Sequence, residues 1–154
     1  MRKMLPMMGV LAGCGIDSMD GDWSGDLSCF DGAEVRLEIE VDDSEGALEY
    51  IGDFFLRAAT LYETDGETFR LESDWAGTLA VTQVLPSGEQ EVAIVLKERA
   101  PDCRVFKEGN LLSEDCYEDG MPLGYEFVGE FVGDWDGLDI LEVDNGYCSG
   151  ELDR

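Results

Sequence analysis

An all-β fold, a small antiparallel meander closing into a barrel or packing as a sandwich, is predicted for this chain of 154 residues. Three observations carry the prediction. Apolar and polar residues alternate with period two over several short runs, the pattern of strands with one buried face. Turn-forming clusters separate those runs. Nineteen glycines lie largely between them, and no long helical stripe competes.

The elements follow in order. Across residues 33–41, Val35, Leu37, Ile39 and Val41 share one side, and Glu34, Arg36, Glu38 and Glu40 share the other. Ala47–Glu63 is ambiguous, because Leu48, Ile51, Phe55, Ala58 and Tyr62 fit a helical stripe while Leu48, Tyr50, Phe54 and Leu56 fit alternation. Gly46, Gly52 and the surrounding pattern favour a strand. Thr68–Ser73 alternates weakly, with Phe69 and Leu71 inward. Gly77–Leu85 and Glu91–Glu98 flank Pro86-Ser87-Gly88-Glu89 and predict a hairpin. Leu123, Tyr125, Phe127 and Phe131 alternate with Glu126, Val128, Glu130 and Val132. Asp144-Asn145-Gly146 signals a last hairpin before Tyr147–Leu152.

Charge restricts the partners. Thirty-six Asp and Glu oppose ten Lys and Arg, a net charge of −26, and without Arg2 and Lys3 the remainder carries −28. Such a field repels phosphate backbones and anionic lipid surfaces, so nucleic acid is not an expected partner. Solubility is the simplest reading of the acids. Asp17, Asp20 and Asp22 lack the alternation and closing Glu of a calcium loop, and are read as an acidic tether rather than a metal site.

The N-terminus carries an address. Basic Arg2 and Lys3 precede the short apolar run Met4–Val10, and Leu11-Ala12-Gly13-Cys14 follows. The last four residues resemble the lipobox of bacterial lipoproteins. That resemblance implies removal of residues 1–13, lipidation of Cys14 (with palmitate among its acyl chains) and a membrane anchor. Residues 14–21 then form a short tether, and 22–154 the β domain. Gly15, rather than Asp, follows the Cys, which in that family implies the outer membrane of the cell envelope.

Four cysteines remain, Cys29, Cys103, Cys116 and Cys148. An even number in an exported chain predicts two disulfides, with three possible connectivities. Cys103–Cys116 is favoured as the local pair. Cys29–Cys148 is favoured as the long one, because a closed barrel makes its first and last strands neighbours. None of the spacings is Cys-x-x-Cys, which argues against redox or zinc roles.

Asp-Trp-x-Gly recurs at Asp22–Gly25, Asp74–Gly77 and Asp134–Gly137. A Trp at a strand entry suits the covering of a barrel end, and the Gly allows a bend or a close approach. Gly21-Asp22-Trp23 resembles the Gly-x-Trp opening of lipocalins and related calycin barrels, and Gly133-Asp134-Trp135 repeats it. The chain also resembles Trp-Gly-rich bacterial lipoproteins. The family's late Arg, stacked on that Trp, is not expected here, since only Arg154 lies beyond residue 104.

The chain has no histidine, which removes Ser-His-Asp and Cys-His catalysis and imidazole metal sites. It also has no Walker loop and no Gly-x-Ser-x-Gly elbow. The expectation is a non-enzymatic envelope lipoprotein without cofactor, binding or scaffolding a partner such as a protein. The alternative is a carrier of a small apolar ligand, of lipocalin type. A packed interior would favour the first and a hollow one the second.

Overall fold

The computed structural model describes residues 18–42, 49–84, 90–99, 101–114, 117–118, 121–122 and 127–154. In chain order the strands are β1 (Gly21–Cys29), β2 (Glu34–Val41), β3 (Glu49–Thr64), β4 (Glu67–Val84), β5 (Gln90–Glu98) and β6 (Asp102–Lys107). They continue as β7 (Asn110–Ser113), β8 (Tyr117–Glu118), β9 (Met121–Pro122), β10 (Glu130–Trp135), β11 (Ile140–Asp144) and β12 (Cys148–Asp153). Eight of them close an up-and-down barrel. From β1 to β5 each strand pairs antiparallel with the next, β5 pairs with β10, β10 with β11, β11 with β12, and β12 returns to β1. Closure leaves the barrel itself without an edge strand. The fold is therefore a small antiparallel β-barrel, in keeping with a calycin-like architecture, and the sandwich alternative falls away.

The alternation in the sequence has its expected consequence. In β2 the residues Val35, Leu37, Ile39 and Val41 are buried and the intervening charges exposed. The ambiguous 47–63 region is strand from Glu49, with Tyr50, Phe54, Leu56 and Ala58 facing the core. Tertiary pairing on both sides outweighs its helical stripe.

Two strands expected at Thr68–Ser73 and Gly77–Leu85 are one. β4 runs unbroken for 18 residues beside the 16-residue β3, from Glu49↔Thr82 to Thr64↔Glu67. Asp65 and Gly66 turn the chain between them, both with positive φ (52° and 78°), as a tight hairpin requires. The near half of β4 pairs with β5 and completes the barrel. Its far half pairs with β6, and β6 with β7, so β3, β4, β6 and β7 extend the wall beyond the barrel. Leu71, Cys103 and Val105, with Tyr62 and Phe69 stacked at 5.3 Å, make a second small core there. Phe69 and Leu71 do face inward, but into this annex and not into the barrel.

The run expected over residues 123–132 also changes. Residues 123–126 lie outside the described set, and the strand begins only at Glu130. Phe127 turns into the barrel mouth instead, stacking on Trp75 at 4.8 Å and on Phe54 at 5.9 Å. The Gly129 carbonyl accepts from Leu96 N–H, which holds this plug on β5.

Candidate functional site

Three places compete as the working surface: the barrel interior, the end where the chain termini meet, and the outer wall. The interior is filled. Trp23, Leu37, Leu56, Ile94, Leu141 and Leu152 are each 1% exposed or less. A void that admits water would leave accessible area on its lining, and these residues have almost none. Eight strands enclose a space only just wide enough for side chains. Five glycines narrow it further. A Cβ on Gly25 would lie 2.0 Å from the Glu151 carbonyl oxygen, and one on Gly77 equally close to that of Lys97.

The Asp-Trp-x-Gly repeat thus has two structural uses. In its first two copies the Gly admits a neighbouring backbone carbonyl rather than a ring. In the third, Gly137 has φ of 86° and makes a turn. The three Trp residues also differ. Trp23 stands at a strand entry, Trp135 ends β10, and Trp75 lies within β4, only partly buried.

At the terminal end Trp23 is covered by Arg154, whose guanidinium lies 4.6 Å from the ring centre. The same guanidinium donates to the carbonyls of Ser18, Asp20 (2.9 Å) and Leu138. Trp23 Nε1 donates to Met19 O at 2.9 Å. The expectation that no late Arg would reach the Trp is corrected. Sequence distance gave no hint of it, because strand closure alone brings the end of β12 beside the start of β1. This arrangement binds the two ends of the described chain to each other, and its polar atoms are spent on that task.

At the opposite end Cys29 and Cys148 are directly paired residues of β1 and β12 and are disulfide-bonded, as expected. Cys103 is disulfide-bonded too, while Cys116 lies outside the described residues, so that expected pairing is not described. Cys14 and the leader lie outside them as well, as does Asp17. Among the described residues no group of acids or cysteines is arranged to hold a metal ion.

The outer wall is electrostatically divided. Across β1, β2, β3 and β4 runs the row Asp26–Arg36–Arg57–Asp74, each residue directly opposite the next. Arg36 pairs with Asp26 at 3.2 Å, Arg57 with Asp74 at 2.7 Å, and Arg104 of β6 with Asp74 at 3.2 Å. Hydrogen bonding from Arg57 holds the Asp74 carboxyl below the usual carboxylate range, against the opposing effect of burial.

A second row crosses β5, β10, β11 and β12 as Glu91–Asp134–Glu142–Glu151, again directly opposed. All four are exposed, and no ion pair among the described residues involves them. An open groove of about 930 Å³ lies over this wall. Sequence reasoning counted these acids without placing them, since facing rows depend on register.

Compared with known protein families, with characterised proteins and with solved structures, the chain has no match.

Proposed function

We propose that this protein is a lipid-anchored module of the cell envelope, probing its surroundings with the outside of a filled barrel. The observation that carries the reading is the packed interior. With Trp23, Leu56 and Leu141 closing the axis and Phe127 plugging one mouth, a partner is left the exterior. Binding or scaffolding of a partner is therefore favoured over carriage of a small apolar ligand. The absence of histidine and the division of the wall into paired and unpaired charges support a binding role over catalysis.

The anchoring half of the proposal rests on Leu11-Ala12-Gly13-Cys14 after a basic, apolar leader, with the outer membrane as destination. Ser18, four residues beyond Cys14, is held by Arg154 at the terminal end of the barrel. A lipid on Cys14 would keep that end within about 15 Å of the membrane surface. The disulfide end would face away from it.

Two measurements test the proposal separately. Metabolic labelling with a fatty acid should mark the wild-type chain and not Cys14→Ala; equal label in both would sink the anchor. An apolar fluorescent probe should show no saturable binding to the full chain. Saturable binding that is lost when Leu141 is replaced by a bulkier Phe would favour the carrier.

A further inference from the structure

The groove over β5, β10, β11 and β12 lies above two inward-facing glycines. Gly133 and Gly150 occupy inward positions where other strands carry a side chain, and both lie directly opposite Val143. A Cβ at Gly133 would come 2.6 Å from Val92, and one at Gly150 would come 2.6 Å from the Asp26 carbonyl oxygen. Neither position has room for an inward side chain, and both glycines line the groove on the outside.

The floor of the hollow is apolar. Val132 is 57% exposed, Val95 is 47% exposed, and Ala93 lies directly opposite Val132. Carboxylates rim it: Glu130, Asp134, Glu142, Asp144 and Glu151 all line the groove, with no Lys or Arg among its lining residues. The four strands hold one cation, Lys97, outside that lining.

Opposed like charges on adjacent strands destabilise a sheet. Arginines neutralise the Asp26–Arg36–Arg57–Asp74 row of the other wall, whereas this row, like the opposed Asp22, Glu40 and Asp53 near that wall's end, has no cation among the described residues; here the bare row borders the exposed Val132 and Val95. The carboxylates do not converge on a point, so a compact metal ion does not fit them. Adjacent strands are about 4.8 Å apart, so the row of four spans about 14 Å, the reach of roughly four extended residues. An apolar floor between carboxylate rims complements a chain that presents apolar side chains flanked by cations.

We propose that this groove docks an extended basic segment of a partner protein, Lys or Arg side chains meeting the opposed carboxylates of Asp134, Glu142 and Glu151 and an apolar side chain resting on Val132 and Val95. The inference rests on the reading that the outer wall is the working surface, and names the partner chemistry of that surface.

The test uses the full chain and a short labelled peptide of repeated Lys-Lys-Val-Val, so that each face of the extended chain carries both residue types, with binding read by fluorescence anisotropy at about 0.15 M salt, where long-range attraction is screened. Asp134→Asn/Glu142→Gln should weaken binding by roughly tenfold, and Val132→Asn by roughly threefold. Glu40→Gln/Asp53→Asn removes the same charge from an opposed, exposed pair on β2 and β3, and should change it by less than about twofold. Near-ultraviolet circular dichroism of the buried Trp residues confirms that each variant is folded. Equal losses in both double variants would reduce the effect to the overall field and overturn the proposal. So would equal affinity for a peptide with Ser in place of Val, or no binding at this salt. The apolar-probe measurement stays independent: a negative result here with no probe uptake leaves the filled barrel standing and removes only the groove.

Discussion

The two walls of this barrel share one inner surface and differ most plainly in how the charges across their middle rows are arranged. On the β2–β3–β4 side, Arg36 and Arg57 face each other directly, an unfavourable pair in isolation, yet Asp26 and Asp74 stand on either flank and each guanidinium finds its carboxylate. On the β5–β10–β11–β12 side, four carboxylates face one another with no cation between. Beneath both, the core is equally tight, with Leu56 behind the first and Leu141 behind the second, each fully buried. Packing holds the walls in place, so the outer charges are free to differ. The difference teaches that a net charge of −26 is not spread as a uniform solubilising coat.

The largest test of that comparison is at the seam where the acidic wall meets β1. Cys29→Ser/Cys148→Ser opens a loop closed over a sequence separation of 119 residues. The chain-entropy model gives a loss of about 4–5 kcal/mol for such a loop. Urea unfolding of the full chain is expected to show it as a fall in midpoint. If the double variant unfolds at the wild-type midpoint, backbone pairing of β12 with β1 is enough to hold the acidic wall, and the seam is not its weak point.

The paired wall should lose stability in acid. Asp74 titrates below the ordinary range of about 3.9 because Arg57 stabilises its ionised form. A depressed folded-state pKa contributes stability that is present above the unfolded value and is lost as pH falls through the folded one. Asp74→Asn is expected to cost about 1 kcal/mol at neutral pH, allowing for the solvent exposure of Arg57. The gap from wild type should close as the solution is acidified well below the unfolded value. A gap that persists in acid would assign the effect to packing rather than to the ion pair.

The smallest effect has the opposite sign. Glu142 sits between Asp134 and Glu151, so Glu142→Gln removes two like-charge contacts and should stabilise by about 0.2–1 kcal/mol in low salt. Added NaCl shortens the reach of the repulsion from about 30 Å at 0.01 M to about 8 Å at 0.15 M. Thermal melts should therefore converge as salt rises, with the wild type gaining more. Calcium at constant ionic strength is expected to add no saturable shift. A melting temperature independent of salt would show that the row is too well solvated to strain the sheet.

Much of the architecture was legible in residues. The alternation of Val35–Val41 announced β2, and the even cysteine set with a closed meander predicted the bond between Cys29 and Cys148. Asp65-Gly66, with Thr64 and Glu67 on either side, is a hairpin signal of the same kind as Asp144-Asn145-Gly146, and reading it would have joined 47–63 to 68–73. Phe127 misled for a physical reason. It alternates in step with Phe131, yet a Cβ at Gly129 would lie 2.9 Å from the Phe127 ring, so glycine at that position lets the ring turn onto Trp75 and Phe54.

Local chemistry by itself determined the strand faces, the turns, the strongly acidic character and the absence of imidazole chemistry, because each depends only on which residues are near in sequence. Tertiary structure decided which charges oppose which, because register is a property of two strands and not of one. It placed Arg154 over Trp23 through closure of β12 on β1, a contact between residues at far ends of the described chain. It also decided that five inward glycines tighten the barrel, so that the space a carrier would need is taken up by backbone and side chains, and the hollow that remains lies outside.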